Sequence, residues 1–229
     1  MQDAKAKRPT ASKPDPYSRR REAGAASREE TRRRLLKAAD ELFQARGYAG
    51  TAVTAITKRA GVSLQTLYLA WGSKRALLRA ASSAVAAASE SPLEPDRWGD
   101  VIRAELADAV GSAPTARDYL AATSRLSVQV AKRTAPYWRL YRQAAATDPE
   151  IAADWAAIKN ESRRALTEVA RSVPQRGLTP GVTMDDITEM LWALTSPEMY
   201  DHFTVDASHA PEEFESWLTR TLTAVLCSD

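Results

Sequence analysis

Cysteine and histidine are nearly missing from this chain. Cys227 stands alone, which excludes an intramolecular disulfide and fits a reducing compartment. The two histidines, His202 and His209, lie seven apart with no third ligand beside them, so the pattern of a zinc cluster or an HExxH site is missing. There is no glycine-rich phosphate loop and no Ser/His/Asp set beyond those two histidines. The acidic pairs Asp185-Asp186 and Glu212-Glu213 fall at helix starts, where the helix dipole accounts for them. An enzyme is therefore not expected, nor a metal or other cofactor. Long apolar runs are also lacking: nothing approaches the ~18 to 20 residues of a membrane helix. The small-residue stretch Ala80–Ser89 is too short and too weakly apolar. The basic N-terminus has no apolar segment after it, unlike a secretory signal. These absences predict a cytoplasmic protein with no membrane partner.

Acidic residues are scarce in the first third. Residues 1–79 carry 18 Lys and Arg against 7 Asp and Glu, and the remaining 150 residues carry 14 against 22. A basic front and an acidic remainder suggest that one end meets a polyanion. Residues 1–27 hold Pro9, Pro14, Pro16 and a scatter of Lys and Arg, with almost no large apolar side chains. They are expected to form a disordered basic arm. It fits either a minor-groove arm or a solvated tail adding nonspecific attraction.

From Ser27 the pattern turns helical. Ser27 and Glu30 have the spacing of a capping box. Leu35, Ala38, Ala39, Leu42 and Phe43 then recur at helical spacing up to Gly47, a left-handed cap. Thr51 opens a second helix with Val53, Ile56 and Ala60 inward. In the stretch AGVSLQTLYLAW, Gly61 supplies the positive φ of a sharp turn. Ser63 caps the next helix, and its hydroxyl and neighbouring amides suit a phosphate oxygen. Leu67 and Trp71, four apart, share the packed face. Leu64, Gln65, Thr66, Tyr68 and Leu69 are left on exposed faces or rims. Gln65 can pair bidentately with adenine, Thr66 can bond a base edge, and Leu64 or Leu69 can meet a thymine methyl. Lys74, Thr51, Thr54 and Tyr68 are candidate phosphate clamps. This is helix-turn-helix grammar, with double-stranded DNA as the partner.

Beyond the motif the chain stays helical, with no strand alternation and no internal repeat, so the fold class is all-α. Helices are expected from Ser73 to about Ser89, from about Arg97 to Val110 and from about Ala116 to Lys132. A separate short aromatic helix should begin at Pro136, with SPLEPD (91–96) a break. Asp148-Pro149 opens a long helix, Thr183 and Asp186 cap another, Pro197 interrupts it, and Pro211 starts the last.

The turn AGVS, the triplet Thr66-Leu67-Tyr68, Trp71 and the run Ser73, Lys74, Leu77, Leu78 resemble the TetR family of bacterial transcriptional regulators. Leu69-Ala70 departs from the family's usual aromatic and His. Residues 191–203 and 211–226 resemble, more loosely, the last two helices of a TetR subgroup. The resemblance implies an N-terminal DNA-binding domain (28–78) and a larger helical regulatory and dimerisation domain (79–229), about nine helices in all. It implies a homodimer on a palindromic operator, formed through Ile187, Met190, Leu191, Leu194, Phe214, Trp217, Leu218 and Val225. The same apolar stripes also fit an internal core. It further implies a pocket for an unknown small-molecule effector, hydrophobic or aromatic. Trp98, Tyr119, Trp138, Tyr141, Trp155 and Trp192 fall in that region and suit either a pocket or plain core. Arg125, Gln129 and Arg142 are the polar residues near them. The function expected is a dimeric repressor released by its ligand; the alternative is a ligand-independent regulator acting by occupancy or through a protein partner.

Overall fold

A computed structural model describes residues 16–86, 98–110, 113, 115–174 and 177–228, with backbone alone for 16–19 and 98–103. The expectation for residues 1–15, and the break at 91–96, lie outside it. Among the described residues the fold is all-helical: α1 (Pro16–Arg46), α2 (Val53–Ala60), α3 (Leu64–Trp71), α4 (Lys74–Ala86), α5 (Trp98–Val110), α6 (Ala116–Ala145), α7 (Pro149–Arg171), α8 (Met184–Leu194), α9 (Pro197–Asp201) and α10 (Pro211–Leu226). A π-helical turn, His202–Asp206, follows α9. One isolated bridge, Leu178 to Cys227, ties the loop before α8 to the end of the chain.

Several helix starts follow local chemistry. The Ser63 hydroxyl accepts from the Thr66 amide at 3.1 Å, and the Asp148 carboxylate from the amides of Glu150 and Ile151. Thr183 and Asp186 form the reciprocal capping box. Ser196 caps α9 with Pro197 at its first position, so the proline ends one helix and opens another.

Two expectations are corrected. Ser27 starts no helix: α1 already runs from Pro16, and the Ser27 carbonyl accepts from the Thr31 hydroxyl inside it. The boundary drawn at 27/28 thus falls within α1. Pro136 starts no helix either, because α6 is continuous for 30 residues through it. Proline costs an interior helix about 3 kcal/mol. Burial of Ala135, Tyr137, Leu140 and Tyr141 around it outweighs that local penalty.

Two hydrophobic clusters organise the molecule. The first joins α1–α4 to the second half of α6 and the start of α7: Leu35, Phe43, Ile56, Leu67, Leu77 and Leu78 pack with Tyr137, Leu140, Tyr141, Ile151 and Trp155. The second gathers α5, the first half of α6, α7, α8 and α10. Ile187, Leu191, Phe214 and Leu218 are at most 1% exposed inside it. They are therefore corrected from dimer-interface candidates to internal core. Met190, Leu194 and Trp217 remain partly exposed, and Val225 is 53% exposed.

Candidate nucleic-acid interface and cavity

The surface of α3 divides along its length. Leu67 is fully buried and Trp71 half-buried on one side. Tyr68 (49%) and Leu69 (82%) face solvent on the other with Gln65, and Leu64 (42%) is exposed at the start of the helix. Large apolar groups left in water on an eight-residue helix that is otherwise fixed are the unusual feature. Gly61, at φ 64°, makes the turn before α3, and Val62 packs into the first cluster. Thr66 is half-buried, its hydroxyl 2.8 Å from that of Ser63, so both are partly committed to the cap. Thr54 is exposed at the start of α2, its side chain open to solvent.

The far end of α3 is fastened to α1. The Arg32 guanidinium donates to the Ala70 carbonyl and lies 4.0 Å from the Trp71 ring centroid. The Trp71 indole N–H donates back to the Arg32 carbonyl at 3.3 Å. These contacts set the orientation of α3 against the first cluster.

Two phosphate-clamp candidates are corrected. Thr51 is completely buried, and its hydroxyl donates to the carbonyls of Gly47 (2.7 Å) and Leu42 (3.1 Å). It locks the end of α1. The Lys74 ammonium donates to the carbonyls of Tyr48 (3.0 Å) and Thr51 (3.2 Å) and sits 4.0 Å from the Tyr48 ring centroid. Burial lowers its pKa, and burial likewise pushes the Tyr48 phenol up to about 12. Both residues hold the α1–α2 connection together. Their partners lie on a neighbouring segment, so nothing in their own spacing reveals the role.

Behind this unit α4 meets α5, α6, α7 and the α8–α9 corner around a cavity of about 470 Å³. That falls within the ~300 to 1,000 Å³ usual for small-molecule sites. Of the six aromatic candidates, Trp138, Tyr141 and Trp192 line it. Tyr119 does not: it is buried in the second cluster, its hydroxyl donating to the Val169 carbonyl at 3.2 Å. Nor does Trp155, which stands behind the wall, edge-on to Trp138 at 4.6 Å and stacked on Tyr141 at 6.1 Å. The side chain of Trp98 lies outside the described residues. Arg125, Gln129 and Arg142 are exposed and line none of it. The residues missed are Thr123, Ser127, Val130, Thr134 and Tyr137 on α6, and Arg79, Ser82 and Ser83 on α4. The α6 residues recur every three or four positions, and helical periodicity over Ala116–Lys132 already places Thr123, Ser127 and Val130 on one stripe.

Cavity wall and front unit share side chains. Tyr137 lines the cavity, and its hydroxyl donates to Asp40 of α1 at 2.5 Å. Burial first, then the Asp40 charge, raises its pKa far above the ordinary phenol range. Arg75, one residue into α4, grips Asp154 of α7 bidentately at 2.6 and 2.8 Å. Asp154, too, lines the cavity.

The described residues thus form a helix-turn-helix carried on a helical body with a cavity. Residues 35–81 match the family model of "Bacterial regulatory proteins, tetR family". Over this segment the chain is similar to that family. Solved structures share the fold. NalD, the secondary repressor of the MexAB-OprM multidrug efflux pump in Pseudomonas aeruginosa, is 19% identical, with a TM-score of 0.65 over 88% of this chain and 99% of that one. A transcriptional regulator from Saccharomonospora viridis in complex with choline is 17% identical, with a TM-score of 0.65 over 87% and 99%. A TetR-family regulator from Rhodococcus sp. is 21% identical, with a TM-score of 0.60 over 86% and 98%. No curated protein matches the chain. Among the described residues no helix is long and apolar enough to cross a membrane.

Proposed function

We propose that this chain is a dimeric transcriptional repressor that leaves its operator when a small molecule enters the 470 Å³ cavity. Residues 28–78 act as the reader and 79–229 as the regulatory and dimerising body. The observation that carries the reading is α4. Its first residue, Lys74, fastens the helix-turn-helix, and its later residues Arg79, Ser82, Ser83 and Ala86 wall the cavity. A ligand that shifts α4 therefore shifts the reader.

In this reading Leu64, Gln65, Tyr68 and Leu69 enter the major groove. Gln65 reads an adenine, the leucines meet thymine methyls, and Thr54, Ser63, Thr66 and Tyr68 touch backbone or base edges. One eight-residue helix offers too few contacts for a unique site, so a second copy supplies the other half-site. That copy covers α8 and α10 at Met190, Leu194, Trp217 and Val225. The repressor named among the structural neighbours and the neighbour holding choline support repression and ligand control respectively. Release requires a ligand with different affinity for the DNA-competent and incompetent states.

The test follows tryptophan fluorescence and DNA anisotropy in one sample while apolar aromatic compounds are titrated in, using a duplex selected from random sequence. A compound that quenches Trp138 and Trp192 should free the DNA, and Ser127→Phe, which fills the cavity, should suppress both signals. Quenching with the DNA still bound favours the alternative of ligand-independent control by occupancy or a protein partner.

A further inference from the structure

The N-terminal half of α1 extends beyond the first hydrophobic cluster, whose first member is Leu35. Residues 20–30 are exposed except the half-buried Gly24, and the first buried residue of the helix is Leu35. Sixteen helical residues, Pro16–Thr31, therefore precede the packed part of α1, about 24 Å of helix at 1.5 Å per residue. A helix polar on all sides buries nothing that would stabilise it in isolation.

Its charge arrangement is unfavourable for a free helix. The first turn holds no acidic residue, and Arg20 and Arg21 follow it near the end where the helix dipole is positive. Arg21 and Arg28 are exposed, so both are open to an external partner. The arginines are also ordered in space. Arg21, Arg28 and Arg32 stand at i, i+7 and i+11, within about 40° of one another on the helical wheel. Glu22, Glu29 and Glu30 lie at least about 80° from the centre of that stripe, and Glu30 pairs with Arg33. The stripe begins where α3 ends, because Arg32 caps the Ala70 carbonyl and covers Trp71.

We infer that the Arg21–Arg28–Arg32 stripe on the projecting half of α1 is a second DNA contact, binding phosphates beside the groove that α3 occupies. Arg21 and Arg28 supply the charge; Arg32 fixes the stripe to the reader. The contact is blind to sequence, lengthens the footprint, and relieves the unfavourable charge at the helix start by placing phosphates there. It rests on the reading of α3 as the groove-binding helix.

The test measures anisotropy of a labelled 30-base-pair mixed-sequence duplex with the full chain over a KCl series. Each phosphate contact contributes about 0.9 to the salt slope. Arg21→Gln with Arg28→Gln should flatten the slope by about two and weaken binding at low salt at least tenfold, with Tm unchanged because neither side chain touches the core. Arg21→Lys with Arg28→Lys should retain the slope. Arg117→Gln with Arg171→Gln, the same charge change on the body, should flatten it far less. A slope in the double glutamine variant within half a unit of the parent, or an equal loss in the body variant, overturns the stripe. Failure of the parent to bind any duplex overturns the groove reading itself, a separate outcome.

Discussion

The front of the molecule and its body hold similar side chains to different ends. On α3, Leu64 and Leu69 are exposed while Leu67 is sealed in the core. On α8 and α10, Leu191 and Leu218 are sealed and only Val225 is widely exposed. In the body apolar burial is the rule, so the aromatics near the cavity divide between wall and core. In the front, apolar exposure is concentrated on one short helix. The comparison teaches that exposed leucine beside exposed glutamine and tyrosine, on a helix fixed from behind, marks a surface kept for a partner.

The sharpest way to break that comparison is within α3. Leu67→Ala should destabilise the fold by about 2 to 5 kcal/mol, the usual cost of emptying a sealed leucine site. Chemical denaturation would measure it, and a cost under ~1 kcal/mol would mean the site collapses freely. Next come the links between front and body. Tyr137→Phe removes the hydroxyl that donates to Asp40. It should cost about 1 to 3 kcal/mol, because the carboxylate loses its partner in a part-buried setting. Lys74→Ala should cost a similar ~1 to 3 kcal/mol by removing the ammonium from the part-buried Tyr48 and Thr51 carbonyls, and leave the salt slope of DNA binding nearly unchanged. A slope lower by about one would restore Lys74 as a phosphate clamp.

A smaller effect belongs to the cap of α8. The Thr183 hydroxyl and backbone hold the Asp186 carboxyl below its ordinary range. A depressed folded pKa gives stability that is complete above the unfolded value and lost as pH falls through the folded one. Thr183→Ala should therefore lower Tm at neutral pH, by a gap that narrows but does not close on acidification below the carboxylate range, because the Thr183 hydroxyl also accepts from the Asp186 amide; a Tm gap constant with pH would contradict the linkage. Smallest of all, Leu69→Ala should change stability by less than about 0.5 kcal/mol while weakening DNA binding.

Much of the front was legible in the sequence because its signals are local. Gly61, the Ser63 cap and the pair Leu67 and Trp71 depend on neighbours within one turn of chain. Thr51 and Lys74 misled for the opposite reason: they look like phosphate ligands, and the carbonyls that occupy them are fixed only once α1, α2 and α4 pack. Pro136 misled by propensity, since tertiary packing carries α6 through it. Ser27 misled because a capping box in sequence is no guarantee that a helix starts there. In the C-terminal helices periodicity identified the apolar faces, but not which of them the chain covers with its own residues.

If the exposed surface of α3 reads DNA, Gln65 is its most specific element. Binding sites selected from random DNA should give a palindromic consensus for the parent. For Gln65→Ala they should give one relaxed at a single symmetry-related pair of positions. No enriched site for the parent, or an identical consensus for both proteins, would contradict it.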